Sequence, residues 1–180
     1  MKLELGAGLR PTRGYTHNDT QPFPHIELVN DAWMLDLPTD SVDEVFAVAF
    51  IEHLTFDQAC DTFRNVARML RPGGVFLFDV PDYPKWVQYY QTRLIGGEVR
   101  PEDSVPPMDH VRRTLFGWGR WPGDEHKYGW DLGHLGDTLL DIGFQPGKNL
   151  FDGLPMFKAR TYRRRFDEPW NAHLYVCAIK

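Results

Sequence analysis

Gly6-Ala7-Gly8 follows a short segment, Lys2–Leu5, in which Leu3 and Leu5 alternate with Lys2 and Glu4. That pattern reads as a strand running into a glycine turn, where a ligand can approach the backbone closely. A strand followed by such a turn is how nucleotide-type sites are entered at the carboxyl end of an open α/β sheet. Glu4 lies inside the strand and needs a bonded partner there, because burying an unpaired carboxylate is costly. A second chemistry-bearing stretch is Asp124-Glu125-His126-Lys127-Tyr128-Gly129-Trp130. It places an imidazole, the side chain that exchanges protons near neutral pH, in a polar and aromatic loop. His53, next to Glu52, lies just past an apolar run and is open to two roles, a base or a structural hydrogen bonder.

These residues need elements to position them. The pattern predicts strands at 2–6, at Tyr15–Asp19 and at His25–Val29, and a buried strand over Val45–Phe50 after a turn at Asp40–Asp43. Thr55 with Gln58 has capping-box spacing, and the helix it opens runs to about Leu70, stopped by Pro72-Gly73-Gly74. A further buried strand spans 75–80. Residues 81–130 read as an aromatic helix near Pro84–Leu94 followed by a long irregular excursion, the kind of segment that carries function. A helix over Asp131–Ile142 ends at Gly143. Phe151–Ala159 and His173–Ile179 then close the chain as a strand pair. Alternating strands and helices imply an α/β domain with a largely parallel sheet. Only Gly8 to Tyr15 is too short for the usual crossover helix. Either that helix is reduced to a turn or the second strand is misplaced.

Composition narrows the class. The chain has 180 residues, enough for one domain, with 42% hydrophobic residues and a net charge of −5. The acidic balance disfavours a general nucleic-acid or membrane-surface binder. Cys60 and Cys177 form no CxxC pair, and the start of the chain has no signal-like or membrane-spanning run, which fits a cytoplasmic protein. Four of the six tryptophans (Trp86, Trp118, Trp121 and Trp130) fall within 81–130. They either line a pocket or simply pack.

In order, Glu4-Leu5-Gly6-Ala7-Gly8, Asp19, Asp31-Ala32 with Leu35 and Asp40-Ser41-Val42-Asp43, Ile51-Glu52-His53-Leu54 and Leu70-Arg71-Pro72-Gly73-Gly74 resemble the motifs of the class I S-adenosylmethionine-dependent methyltransferases. The resemblance covers about residues 2–80, and the end of the chain fits the family's last helix and strand pair. It implies a Rossmann-like, doubly wound, mostly parallel seven-stranded sheet with an antiparallel last strand. It also implies a single methyltransferase domain over 1–180, with 81–130 as a substrate-side lid. The implied cofactor is S-adenosylmethionine, held by Glu4, Gly6, Ala7, Gly8, Asn18, Asp19, Asp31, Ala32, Phe50, Ile51 and His53. In this reading Glu4 supports the glycine loop, Asp19 accepts from the ribose hydroxyls and Asp31 accepts from the adenine amino group. Trp33 stacks on that ring or packs in the core, and Arg10 pairs with the cofactor carboxylate or stays on the surface. The sequence departs from the family pattern at the short crossover, at Asp36 where a proline is common, and in lacking covering helices ahead of the first strand. A partner or a homodimer would compensate.

The resemblance implies methyl transfer to oxygen or nitrogen of a small-molecule acceptor, natural-product-like or sugar-like. His126 is the first candidate base, His53 the second; His110 and His134 are weaker. Tyr83, Trp86 and Tyr90 share a helical face that walls an acceptor pocket or packs the lid. The basic run Lys158, Arg160, Arg163, Arg164 and Arg165 either binds an acceptor anion or is a solvated connection. A metal-assisted variant would use Asp79 and Asp82 with His53 or His134 around Mg²⁺, although the site is expected to hold no metal. Two other classes stay open: a non-catalytic cofactor-binding partner subunit, and a nicotinamide-dependent oxidoreductase, which the missing third glycine disfavours.

Overall fold

A computed structural model describes residues 1–94, 107–146 and 173–180. The strands are β1 (Lys2–Leu5), β2 (Thr16–Asp19), β3 (Leu28–Val29), β4 (Val42–Ala47), β5 (Leu70–Pro81), β6 (Gln145–Pro146) and β7 (His173–Ile179). The helices are α1 (Phe56–Met69), α2 (Tyr83–Leu94), α3 (Pro107–Phe116) and α4 (Leu132–Ile142). The strands form one seven-stranded sheet in the order β3-β2-β1-β4-β5-β7-β6. The neighbours from β3 to β5 pair in parallel, and β7 runs antiparallel to both β5 and β6. This is the doubly wound sheet with a reversed last strand that the motifs implied.

Alternation along the central strands sorts their side chains onto two faces. Leu3, Leu5, Val45, Ala47, Phe76 and Phe78 enter the main core with Val66, Met69, Leu135 and Leu139 from α1 and α4. Phe46, Leu77 and Cys177 point the other way and meet Tyr15. Helix α1 buries Ala59, Cys60, Phe63, Val66 and Met69 at helical spacing. Its N-terminus is the expected capping box: the Gln58 N–H donates to Thr55 Oγ1, and the Thr55 N–H donates to Gln58 Oε1.

Several boundaries differ from the sequence pattern. The first crossover is indeed a turn: β1 pairs directly with β2 (Leu3 opposite Thr16), with no helix between them. The third strand is only Leu28–Val29, short as an edge strand tends to be. The fourth strand is Val42–Ala47 rather than 45–50, because its pairing with β1 ends at Ala47, opposite Leu5. Pro72-Gly73-Gly74 does not stop α1, which ends at Met69; it lies within β5. Val42 faces Leu70 while Glu44 faces Val75, so Arg71–Gly74 bulges out of the ladder. The excursion after α2 is not all irregular, since α3 begins at Pro107, where a proline fits the first turn. The expected strand at Phe151–Ala159 and the basic run at 158–165 lie outside the described residues, as do the side chains of Tyr90 and His110.

We predict that Thr55→Ala removes the capping bond and lowers stability by about 1 kcal/mol. Urea unfolding, read as a lower midpoint with an unchanged slope, checks it.

Candidate functional site

All parallel strands end at one edge, and the site is built there from two halves. In the first half, β1 stops at Leu5 and the chain turns at Gly6, with φ +62°. A methyl group at Gly6 would overlap the Phe50 ring, so only glycine lets this turn lie beneath the exit of β4. The Ala7 N–H donates to the Asn18 carbonyl at 3.0 Å. The Gly8 N–H donates to Asp19 Oδ2 at 2.9 Å, and the Gln21 N–H donates to Asp19 Oδ1 at 2.8 Å. Two backbone donors therefore fix the half-buried Asp19 carboxylate, and each oxygen keeps an acceptor site for a ligand.

Asp31 precedes the short 3₁₀ turn Ala32–Met34, and its side chain makes no capping bond there. Ala32 is buried, and Trp33 leans on the main core. From α1, the Asn65 side chain donates to the Ala32 carbonyl at 3.2 Å and holds this turn in place. Asn18 is fully buried, and its amide donates to the Leu28 and Asn30 carbonyls. Its side-chain amide thus ties β2 to the following segment. Arg10 is exposed and makes no ion pair among the described residues.

Behind the turn, Glu4 has the partners its burial demands. The Thr12 N–H and hydroxyl each donate to its carboxylate at 2.6 Å, and His17 Nε2 lies 3.6 Å away. His17 also meets the Thr12 carbonyl through Nε2 and Glu27 through Nδ1. Burial opposes charge on this ring, but the Thr12 carbonyl and the Glu27 and Glu4 carboxylates outweigh it and raise the His17 pKa. His25 donates from Nε2 to the Gly8 carbonyl at 2.7 Å and stacks on Phe23. The sequence reading missed Thr12, His17, His25 and Glu27. Its one signal was that the buried Glu4 had to be paired.

The second half joins the Ile51–His53 turn, just past β4, to the loop at 124–130. The Glu52 carbonyl accepts from the Lys127 N–H at 2.8 Å and from the Tyr128 N–H at 3.4 Å. This docking brings the His53 and His126 rings to 4.9 Å, edge to face. Each ring has Nδ1 against a main-chain carbonyl, His53 on Glu125 at 3.2 Å and His126 on Thr114 at 2.6 Å. A carbonyl can only accept, so Nδ1 carries the proton and Nε2 keeps its lone pair. Burial holds the His53 pKa below its usual value. For His126, burial and then the neighbouring His53 lower it to about 4. Both rings are neutral at pH 7.

Buried carboxylates surround them. Asp124 takes three hydrogen bonds from Arg120. Asp79 accepts from the Ala49 N–H at 2.8 Å and from His173 Nδ1 at 3.1 Å. That bond braces Ala49, whose φ of +49° is unusual for a residue with a side chain. Glu52 is pushed well above its usual pKa by burial and then by the charges of Asp79 and Asp124. The loop also depends on Gly117, where a methyl group would overlap the Asp124 carbonyl.

Among the described residues, one group of metal-ligating side chains comes together: Glu52, His53 and His126. The alternative magnesium set, Asp79 and Asp82 with His53 or His134, does not come together among the described residues. Asp82 caps α2 by accepting from the Lys85 N–H, Asp79 is engaged as above, and His134 meets the Tyr128 hydroxyl at 2.8 Å. Nor do Tyr83 and Trp86 line an open wall. Trp86 is buried with Val111 and Leu115, and the Tyr83 hydroxyl donates to the Leu115 carbonyl, so both pack α2 on α3.

A family model described as a methyltransferase domain matches residues 13–78. This stretch of the chain is similar to a methyltransferase domain. The matched stretch runs from just ahead of β2 into β5, and the glycine turn lies before it. No curated protein matches the sequence. Among solved structures, an S-adenosylmethionine-dependent methyltransferase from Mesorhizobium loti is 19% identical, with a TM-score of 0.59. It is matched over 99% of this chain and 90% of its own. A Burkholderia thailandensis 1,6-didemethyltoxoflavin-N1-methyltransferase is 16% identical, with a TM-score of 0.60 over 99% and 70%. A complex of the Haloferax volcanii Trm112 methyltransferase activator with a methyltransferase gives 16% identity and a TM-score of 0.57 over 99% and 81%. At these identities the likeness is one of fold. No helix among the described residues is long and apolar enough to cross a membrane.

The raised His17 pKa makes a prediction. A folded-state pKa above the unfolded value near 6.5 gives stability that is fully present below that value. This stability is lost as pH rises through the folded pKa. Wild type should lose stability over that window, and His17→Gln should flatten the loss. Thermal melts across the pH range check it.

Proposed function

We propose that this chain is an S-adenosylmethionine-dependent methyltransferase acting on oxygen or nitrogen of a small-molecule acceptor. The observation that carries the reading is the Asp19 carboxylate, fixed by the Gly8 and Gln21 N–H groups yet able to accept more, beside the glycine turn. That arrangement fits a ligand carrying two adjacent hydroxyls. Asp31, with the Ala32 backbone, would take the base, and Gly6, Ala7 and Gly8 would border the amino-acid portion. Phe50 and Ile51 would close the site from the β4 side. Bound there, the cofactor supplies an electrophilic methyl group on a sulfonium.

The chain's own work is positioning: it holds the acceptor atom in line with that methyl group and excludes water. Residues 81–130 form the acceptor side. In this reading His126 Nε2 accepts the acceptor's proton, and the Thr114 carbonyl fixes the tautomer. A base with a pKa of about 4 is always available at neutral pH but drives proton removal weakly. A second reading is a cofactor-binding subunit that works with a protein partner. Leu9, exposed just past the glycine turn, favours it, and the Haloferax volcanii neighbour is itself complexed with an activator.

Calorimetry with S-adenosylmethionine, S-adenosylhomocysteine and NAD(H) tests the cofactor assignment. Only the sulfur compounds should bind, and Asp19→Ala should weaken them at least about tenfold, since it removes charge-assisted hydrogen bonds. Binding of NAD(H) instead would overturn the reading. His126→Asn should leave cofactor affinity intact and lower kcat about tenfold or more, short of the 10²–10⁴ of a well-matched base. The acid limb of the wild-type rate should fall near pH 4, where His126 gains its proton. A limb near 6.5 would assign the proton to another group.

A further inference from the structure

The buried acids at this edge are not evenly matched with hydrogen-bond donors. Asp124 is paired with Arg120, and Asp79 with His173. Glu52 is only 2% exposed, and its Oε2 has no hydrogen-bond partner. A buried carboxylate oxygen without a donor is a costly vacancy that a cation would relieve. Beside it stand the two imidazoles whose Nδ1 atoms are committed to the Glu125 and Thr114 carbonyls. A ring N–H held by a backbone carbonyl is the outer support usually given to a metal-bound histidine, because it fixes the tautomer and turns the other nitrogen toward the ion. One ligand atom from each of Glu52, His53 and His126 can be chosen so that all lie within 4.8 Å of one another.

We propose that Glu52, His53 and His126 bind a divalent metal ion of the zinc class. Two imidazole nitrogens with one carboxylate suit zinc, cobalt or a similar ion, whereas magnesium prefers an all-oxygen shell. Bonds of about 2.0–2.2 Å would place tetrahedral ligand atoms about 3.4 Å apart. The ligand atoms, within 4.8 Å of one another without an ion, would draw together around it. Three protein ligands leave a fourth position open to water or to an oxygen or nitrogen of a substrate. The site also differs in kind from a base at His126, because the nitrogen that would take a proton is now a ligand. Metal binding stands on this cluster alone. The open position as a seat for the methyl acceptor rests on the methyl transfer proposed above and replaces the base role given there to His126.

The test uses the full chain, free of any affinity tag and stripped with EDTA, titrated with Co²⁺ in the absence of cofactor. One equivalent should bind and give the visible absorption of four- or five-coordinate, nitrogen-ligated cobalt. Stoichiometric Zn²⁺ should displace it, and a hundredfold excess of Mg²⁺ should not. His126→Asn and Glu52→Gln should each weaken Co²⁺ at least tenfold, while His134→Asn should leave it unchanged. Should a variant fail to fold, the wild-type protein still decides the matter. Zn²⁺ should move the imidazole Cε1–H resonances of His53 and His126 and spare those of His17 and His25. Absence of a stoichiometric cobalt spectrum, displacement by Mg²⁺, or shifts confined to His17 and His25 would overturn the proposal. Because no cofactor is present, these outcomes are independent of whether the chain transfers methyl groups. In a working transfer assay, inactivation by EDTA with recovery on Zn²⁺ supports the metal, and insensitivity to EDTA opposes it.

Discussion

The Glu52 peptide carbonyl joins two parts of the molecule that nothing in local sequence brings together, and the histidine half of the site depends on it. It accepts two N–H groups from the 124–130 loop, so the exit of β4 and the approach to α4 share one rigid junction. The aromatic residues of the junction then lock: Trp130 is almost fully buried, with Phe56, Phe63 and Tyr128 around it. Because the carbonyl points to the loop, the Glu52 side chain is left in the interior with Asp79 and Asp124 nearby. The geometry that docks the loop is thus the same geometry that concentrates buried acid next to two imidazoles.

The fold was largely legible because the sheet writes itself as alternation. Leu3 and Leu5, Val45 and Ala47, and Phe76 and Phe78 each place two apolar residues on one face, and Thr55 with Gln58 announces α1. The misplaced edges share one cause. Apolar runs such as Val45–Phe50 do not say where pairing stops; the neighbouring strand does, and β1 ends at Leu5. The bulge at Arg71–Gly74 looked like a helix stop because glycine and proline mark any irregularity, including one inside a strand. Helix α3 was overlooked because Pro106-Pro107 reads as loop, although proline is at home in a helix's first turn.

The site was legible in its first half and opaque in its second. Asp19 and the glycines lie within 14 residues of one another, and spacing carries the arrangement. Asn18, next door, illustrates the limit: the same neighbourhood gave it a ligand role, yet its amide is engaged by two backbone carbonyls. His53, read with Glu52, and His126 were noticed separately, with no link between the two imidazoles. Their meeting depends on how the loop docks, and Glu52 gains significance only when its missing partner is seen. Trp86 and Tyr83 followed the reverse course: a helical stripe suggested a pocket, and α3, which filled it, could not be foreseen.

The absent first crossover helix also bears on how the molecule assembles. Only Gly6–Tyr15, ten residues, link two strands that pair in parallel, where such a link usually runs through a helix. A loop of that length closes in about 10–100 ns, and its entropic cost is small. The β1–β2 pair, with Gly8 already against Asp19, is therefore among the cheapest long contacts the chain can form. The β1–β4 and β5–β7 ladders must wait for much larger loops to close. The glycine-turn half of the edge is favoured to organise early in folding, and the histidine half late, when the 124–130 loop finds the Glu52 carbonyl.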